Sequence, residues 1–224
     1  MAACGVAVLA LIGVLYLTLP GVGDAEQRVE ARLRANGGHD TGLPAPTRVA
    51  RAVVVIEDRR FYAHGALDVR AIARALWTQV TGAGDPGGST ITQQVAKNLF
   101  GDQAGPVGKP RQVGVAFKLE SRYSKDRILE LYLNSIYYGN GYWGIDAASR
   151  GYFVKPASRL DWGEASMLAG LPQAPSAYDP ARHFARARVR QRDVLAGLVS
   201  NHVISAQTAA RAWSETARWP ERGR

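Results

Sequence analysis

Residues 56–100 read IEDRRFYAHGALDVRAIARALWTQVTGAGDPGGSTITQQVAKNLF. An acidic pair, Glu57 and Asp58, closes an apolar run in which Val49, Val53 and Ile56 recur at helical spacing. The acid therefore belongs at a helix end beside buried surface. Asp68 is placed to cap the next helix, where Val69, Ile72, Ala73, Leu76 and Val80 form one apolar stripe that predicts a core-facing side. Residues 82–88 are too rich in glycine for a regular element and predict a loop. Ser89 then opens a helix with Ile91, Val95 and Leu99 inward and Gln93, Gln94, Lys97 and Asn98 elsewhere. Polar side chains and free backbone amides at a helix start suit a phosphate. The stretch thus sets a carboxylate against hydrogen-bond donors and a cation.

Outward from this stretch, residues 2–19 carry no charge and reach about the length of a bilayer-spanning helix. A transmembrane anchor over 1–20 is expected; a signal peptide cleaved near Gly21 or Gly23 is the rival reading. A linker is expected over 21–46, with a short polar helix at 24–35 and Gly and Pro at 36–46. The compact domain is expected over 47–218 and a tail over 219–224. Toward the C-terminus, 101–110 reads as a loop, and 113–123 and 125–136 as helices with Ser124 as the cap between them. Residues 137–144 form a glycine and aromatic turn, and further helices are predicted near 145–153, 161–170, 182–201 and 205–213. No alternating strand series occurs, so the fold class is mainly α. The arginine-dense run 185–192 predicts a solvated helix face near an anionic membrane.

With 224 residues the chain can bury one full core. Its formal charge of +9, from 28 basic and 19 acidic side chains, asks for an anionic partner. That partner is a nucleic acid, a phosphorylated substrate or an anionic membrane surface, and the uncharged N-terminal run favours the membrane. The single cysteine, Cys4, lies inside that run and excludes an intrachain disulfide or a cysteine-based zinc site.

EDRRFYAHGALD at 57–68, GGSTITQQVAKNLF at 87–100, ILELYLNSIYYGNGYWGIDAASRGYF at 128–153 and ASMLAGLPQAPSAYDP at 165–180 carry a resemblance. In order and spacing they resemble the motifs of family 51 glycosyltransferases, the peptidoglycan glycosyltransferases. The resemblance implies a lysozyme-like domain of two lobes with a cleft between them, preceded by one transmembrane helix. It implies a single-pass protein of the cytoplasmic (inner) membrane with its catalytic domain on the extracytoplasmic side. The implied donor is a lipid-linked growing glycan chain and the acceptor is lipid II. Glu57 is implied as the base, Lys97 as a pyrophosphate contact, and Ser89 and Gln94 as substrate-binding residues, joined by Asp58, Gln93 and Lys109. The product is a β-1,4-linked strand, made with inversion and with release of undecaprenyl pyrophosphate. A divalent cation, Mg2+ or Mn2+, is an open cofactor with no ligands assigned, and other cell-wall synthases are candidate partners. The resemblance also allows part of the 69–80 stripe to dip into the membrane surface, with Trp77 at the interface. No Ser-x-x-Lys occurs, so a monofunctional enzyme without a transpeptidase is expected.

The family's third motif, Arg-Lys-x-x-Glu, aligns with Gly108, Lys109 and Gln112, and its earlier arginine with Ala104. Gln112 thus stands at the second catalytic carboxylate. A neutral amide cannot hold a metal as a carboxylate does, nor act as acid or base. Glu120 lies eight residues on, about 12 Å along a helix, too far to replace it. Two functions fit: a transferase limited at Gln112, or a degenerate relative that binds lipid-linked precursor or cell-wall partners without polymerising. A glycan hydrolase would need a second carboxylate across the cleft, which this motif does not offer.

Overall fold

The computed structural model describes residues 13, 16–38, 47–81, 89–101, 108–217 and 219, with 75, 76 and 78–80 described in backbone alone. Its helices are α1 (Ala25–Ala35), α2 (Arg48–Glu57), α3 (Val69–Thr81), α4 (Ile91–Phe100) and α5 (Gly108–Arg122). They continue as α6 (Lys125–Ser135), α7 (Ile145–Phe153), α8 (Trp162–Gly170), α9 (Pro180–Ser200) and α10 (Ala206–Thr216). Among the described residues, extended pairing is limited to one antiparallel bridge between Tyr137 and Trp143, so the mainly helical class is observed.

Local chemistry explains where most helices begin. Thr47, Thr90, Ser124 and Ser205 each accept a hydrogen bond from the amide three residues on. Asp68 caps α3 through the amides of Arg70 and Ala71. Asp161 and Glu164 form a reciprocal capping box on α8. Helix α9 starts on Pro180 after Asp179 and leaves helical geometry at His183.

Two groups of helices emerge from the packing. Helix α8 is buried on all sides and touches α2, α7, α9 and α10. Small residues permit this: a Cβ on Gly163 would come 2.7 Å from the Ala212 carbonyl, so α10 can approach closely only against glycine. The second group is built around α4, which packs against α5 and α6, with α1 laid on α6. One continuous apolar core joins both groups. Helix α2 of the first group ends where α4 of the second begins.

Several expectations change. Residues 25–35 do not merely connect: Ala25, Val29 and Leu33 of α1 are buried, and Arg32 donates to the carbonyls of Asn98 and Ser135. The amphipathic spacing that made this helix look polar gives it one apolar face, so the compact body includes it. Helix α5 begins at Gly108, inside the segment read as a loop. The α3 stripe is not fully buried at its described positions: Val69 is 72% exposed, Ala73 is exposed and Ile72 half-buried, and Trp77 on the same helix is 71% exposed. Amphipathic spacing alone does not say what covers a face. In the run 185–192, Arg188 is buried, with its guanidinium over the Trp213 ring and a hydrogen bond to Gln191.

Among the described residues no helix is long and apolar enough to cross a membrane. Most of the expected anchor, along with 82–88, Ala104 and most of the tail, lies outside the described residues. The described end of the anchor segment meets α5: Leu19 packs on Gly114, and Lys118 donates to the Leu19 carbonyl at 2.8 Å.

Candidate active site

Glu57 is the last residue of α2, and its carboxylate accepts from Gln94 Nε2 on α4 at 2.9 Å. Gln94 is itself oriented by the buried Tyr132 of α6, whose hydroxyl donates to Oε1 at 3.3 Å. The acid is thus gripped where the two helix groups meet. Burial raises its pKa, with Asp58 adding to the rise, while the Gln94 bond and the charge of Arg190 pull it down. Burial dominates, so the carboxyl sits above its ordinary range, which favours a base near neutral pH.

The cation acting on Glu57 is not one of its chain neighbours, Arg59 and Arg60. Arg60 is directed to Asp68 at 3.5 Å, and Arg59 is exposed. Arg190 of α9 supplies the charge instead. It lies over Gly170, where an added Cβ would approach its Cγ to 2.8 Å. Its sequence gave no local signal beyond membership of an arginine-rich helix. Tyr132 lies at helical spacing with Ile128, Leu129 and Ile136, a pattern that marks an apolar face and not a site residue.

Asp58 does not point into the same chemistry. Its Oδ1 lies 2.7 Å from His64 Nε2, and its Oδ2 accepts from the amide of Ile91 at 3.1 Å. The other ring nitrogen of His64 faces the Gly65 carbonyl at 2.6 Å. Next along the loop, the Ala66 carbonyl accepts from Thr90 Oγ1 and from Gln93 Nε2. The loop after Glu57 is therefore stitched to the start of α4, and the stitch fixes Gln94 opposite the acid. It also corrects the phosphate expectation for this helix start, since the Ile91 amide is taken by Asp58 and that of Gln93 by Thr90.

Ser89, Gln93, Lys109 and Gln112 come together as a second cluster. Lys109 Nζ donates to Ser89 Oγ at 3.0 Å, Gln93 Oε1 at 3.1 Å and Gln112 Oε1 at 2.9 Å. Burial and the charge of Lys97 hold the Lys109 ammonium below its usual range. Lys97 is exposed on α4 and close enough to be felt by it. Glu120 is occupied elsewhere, accepting from Thr92 Oγ1 and Lys125 Nζ, so it ties α5 to α4 and α6.

A cavity of about 310 Å3 runs past Glu57, Asp58, Arg59, Arg60, Asp68, Arg74 and Ser89. A larger one of about 620 Å3 lies beyond Arg59, between Arg51, Tyr62, Asp126 and His202, and is not lined by the acid. Glu57 and Ser89 thus open on the smaller cavity. As metal ligands, Asp58, His64 and Asp68 place ligand atoms within 4.8 Å of one another. Those atoms already serve each other, the Ile91 amide, the α3 cap and Arg60, so protein donors fill this group.

The profile of the transglycosylase family matches residues 41–199. Penicillin-binding protein 1F of Bacillus subtilis is 41% identical over 174 residues, covering 76% of this chain and 24% of that one. Penicillin-binding protein 1A of Neisseria gonorrhoeae is 42% identical over 172 residues, covering 76% of this chain and 22% of that one. The chain thus spans about a quarter of these relatives' length. A crystal structure of penicillin-binding protein 1A from Haemophilus influenzae overlaps 43% of this chain and 14% of its own at 36% identity, with a TM-score of 0.40, too partial to argue the fold from. Sequence match and motif order agree: the chain belongs to the transglycosylase family, the family 51 glycosyltransferases.

Proposed function

We propose that the chain is a peptidoglycan glycosyltransferase that polymerises lipid II. The reading rests on one observation above the others: Glu57, half-buried at a helix end and held by Gln94, has its carboxyl raised above its ordinary value by burial, as suits a general base. In the reaction, Glu57 takes the proton of the acceptor's 4-hydroxyl. The oxygen bonds to the donor's anomeric carbon as the bond from that carbon to the phosphate oxygen breaks. The electron pair leaves with undecaprenyl pyrophosphate, whose charge faces Lys109 and Lys97. Inversion at the carbon gives the β-1,4 linkage. Gln94 and Arg190 limit how far burial raises the base, and the Asp58–His64 stitch keeps Gln94 in place.

The two helix groups, with the acid at their junction, support a two-lobed, lysozyme-like arrangement. The chain is placed in the cytoplasmic membrane by residues 2–19, single-pass, with its domain outside, and the exposed Val69 and Trp77 of α3 lie against the lipid. Fractionation should recover the full-length mass in the membrane; a soluble species starting near Asp24 would mean a cleaved signal peptide. A second reading, precursor binding without polymerisation, is favoured by the neutral Gln112. Labelled lipid II in detergent, read out by glycan length, separates the two. Polymer supports the transferase, and retained lipid II with no polymer supports the binder.

A further inference from the structure

The Lys109 ammonium has three hydrogens and three partners, and all three partners are neutral oxygens. Among the described residues no carboxylate pairs with it. A charge in this setting is spare for an anion, unlike the cations of ordinary ion pairs such as Lys125 with Glu120 or Lys155 with Glu164.

A divalent cation would need hard, preferably anionic oxygens at short range. The position where the family resemblance calls for a carboxylate holds Gln112, and its carbonyl oxygen already accepts from Lys109. A dication bound to that oxygen would sit beside the ammonium, with like charges a few ångströms apart in a partly buried place. Among the described residues the nearby carboxylates are committed: Glu57 to Gln94, Asp58 to His64 and the Ile91 amide, Asp68 to the α3 cap and Arg60, Glu120 to Thr92 and Lys125. The described residues around Lys109 do not fit a metal.

Building on the transferase reading, we propose that this chain binds the diphosphate of its substrate without a divalent cation, the Lys109 ammonium standing where the metal would and Gln112 holding it there. Gln112 lies one helical turn from Lys109 on α5, so its side chain steers the ammonium without neutralising it. A glutamate in its place forms an ion pair with Lys109 and removes the spare charge. The glutamine is then part of a metal-free solution, and restoring the carboxylate alone makes the site worse until a cation is supplied.

The test uses the full chain in detergent and inorganic pyrophosphate as the probe, titrated by calorimetry in EDTA and again in Mg2+. Wild type should bind in EDTA and gain nothing from Mg2+. Gln112→Glu should bind at least about tenfold more weakly in EDTA and recover with Mg2+. Lys109→Met should lose binding in both, with the thermal midpoint of each variant reporting its fold. Binding by wild type only in Mg2+, or Gln112→Glu binding as tightly as wild type in EDTA, overturns the proposal. Lipid II polymerisation run in parallel keeps the two readings apart. Metal-free pyrophosphate binding without polymer defeats the transferase and leaves this inference standing, whereas polymer formed only with Mg2+ does the reverse.

Discussion

The two ends of the candidate site are built on opposite principles. At the Glu57 end half-buried polar groups answer one another: Gln94 donates to the acid, Tyr132 to Gln94, and His64 and a helix amide meet Asp58. At the Lys109 end a single ammonium gathers three neutral oxygens at the rim. The first end is a rigid acid–base device, where a partner removed leaves a costly buried orphan. The second is a shallow reservoir of positive charge, where side chains can change at little cost to the fold. Conservative substitution should therefore hurt chemistry most at the first end and anion affinity most at the second.

The largest effect is expected from Glu57→Gln, which should cut polymerisation by about 10²–10⁴-fold, the scale of a lost general base. Glycan length from labelled lipid II checks this, and a rate near wild type would dissolve the contrast at its root. The same variant tests the thermodynamics. Folding raises the pKa of Glu57, so its contribution to stability is full when it is protonated and is lost as pH rises through the folded value. At neutral pH, Glu57→Gln should be at least as thermally stable as wild type. That advantage should vanish below about pH 4.3, the ordinary glutamate value.

His64→Ala comes next. It strips a partner from the buried Asp58 and should lower stability by about 1–3 kcal/mol in chemical denaturation. It should also lower kcat more than KM, because Gln94 loses its fixed place. An unchanged kcat in a folded protein would show that the stitch is only structural.

Arg190→Gln should leave a folded enzyme whose acid limb in the pH–rate profile moves upward, since Arg190 pulls the Glu57 pKa down and the variant lacks that pull. An unmoved limb would remove Arg190 from the acid's environment. The smallest effect on the fold is predicted for Val69→Ser with Trp77→Ser. Both side chains are exposed, so stability should change by less than about 0.5 kcal/mol. Cosedimentation of this pair variant with lipid vesicles should fall; retention equal to wild type would detach α3 from the membrane.

The helices were legible because their causes are local. Thr47, Asp68, Ser124, Asp161 and Ser205 announce their own helix starts, and apolar spacing marks α2, α4 and α6. The motif carrying Glu57 and the cluster of Ser89, Gln93, Lys109 and Gln112 could likewise be named in advance. Errors arose where a pattern needed a neighbour to give it meaning. The α3 stripe reads as core, yet Val69 and Ala73 are exposed and Ile72 half-buried, and α1 reads as linker and is packed.

The sequence by itself determined that the chain is mainly helical and where most helices start, because capping and periodicity act within a few residues, and its motifs named the candidate acid and amides through their resemblance to the family. Tertiary structure alone decided that Tyr132 steadies Gln94 from 38 residues away, that Arg190 rather than Arg59 or Arg60 acts on the acid, and that Lys109 donates to three neutral oxygens. Those facts depend on which helices pack together, and burial and electrostatic partners are properties of that packing rather than of any stretch of chain.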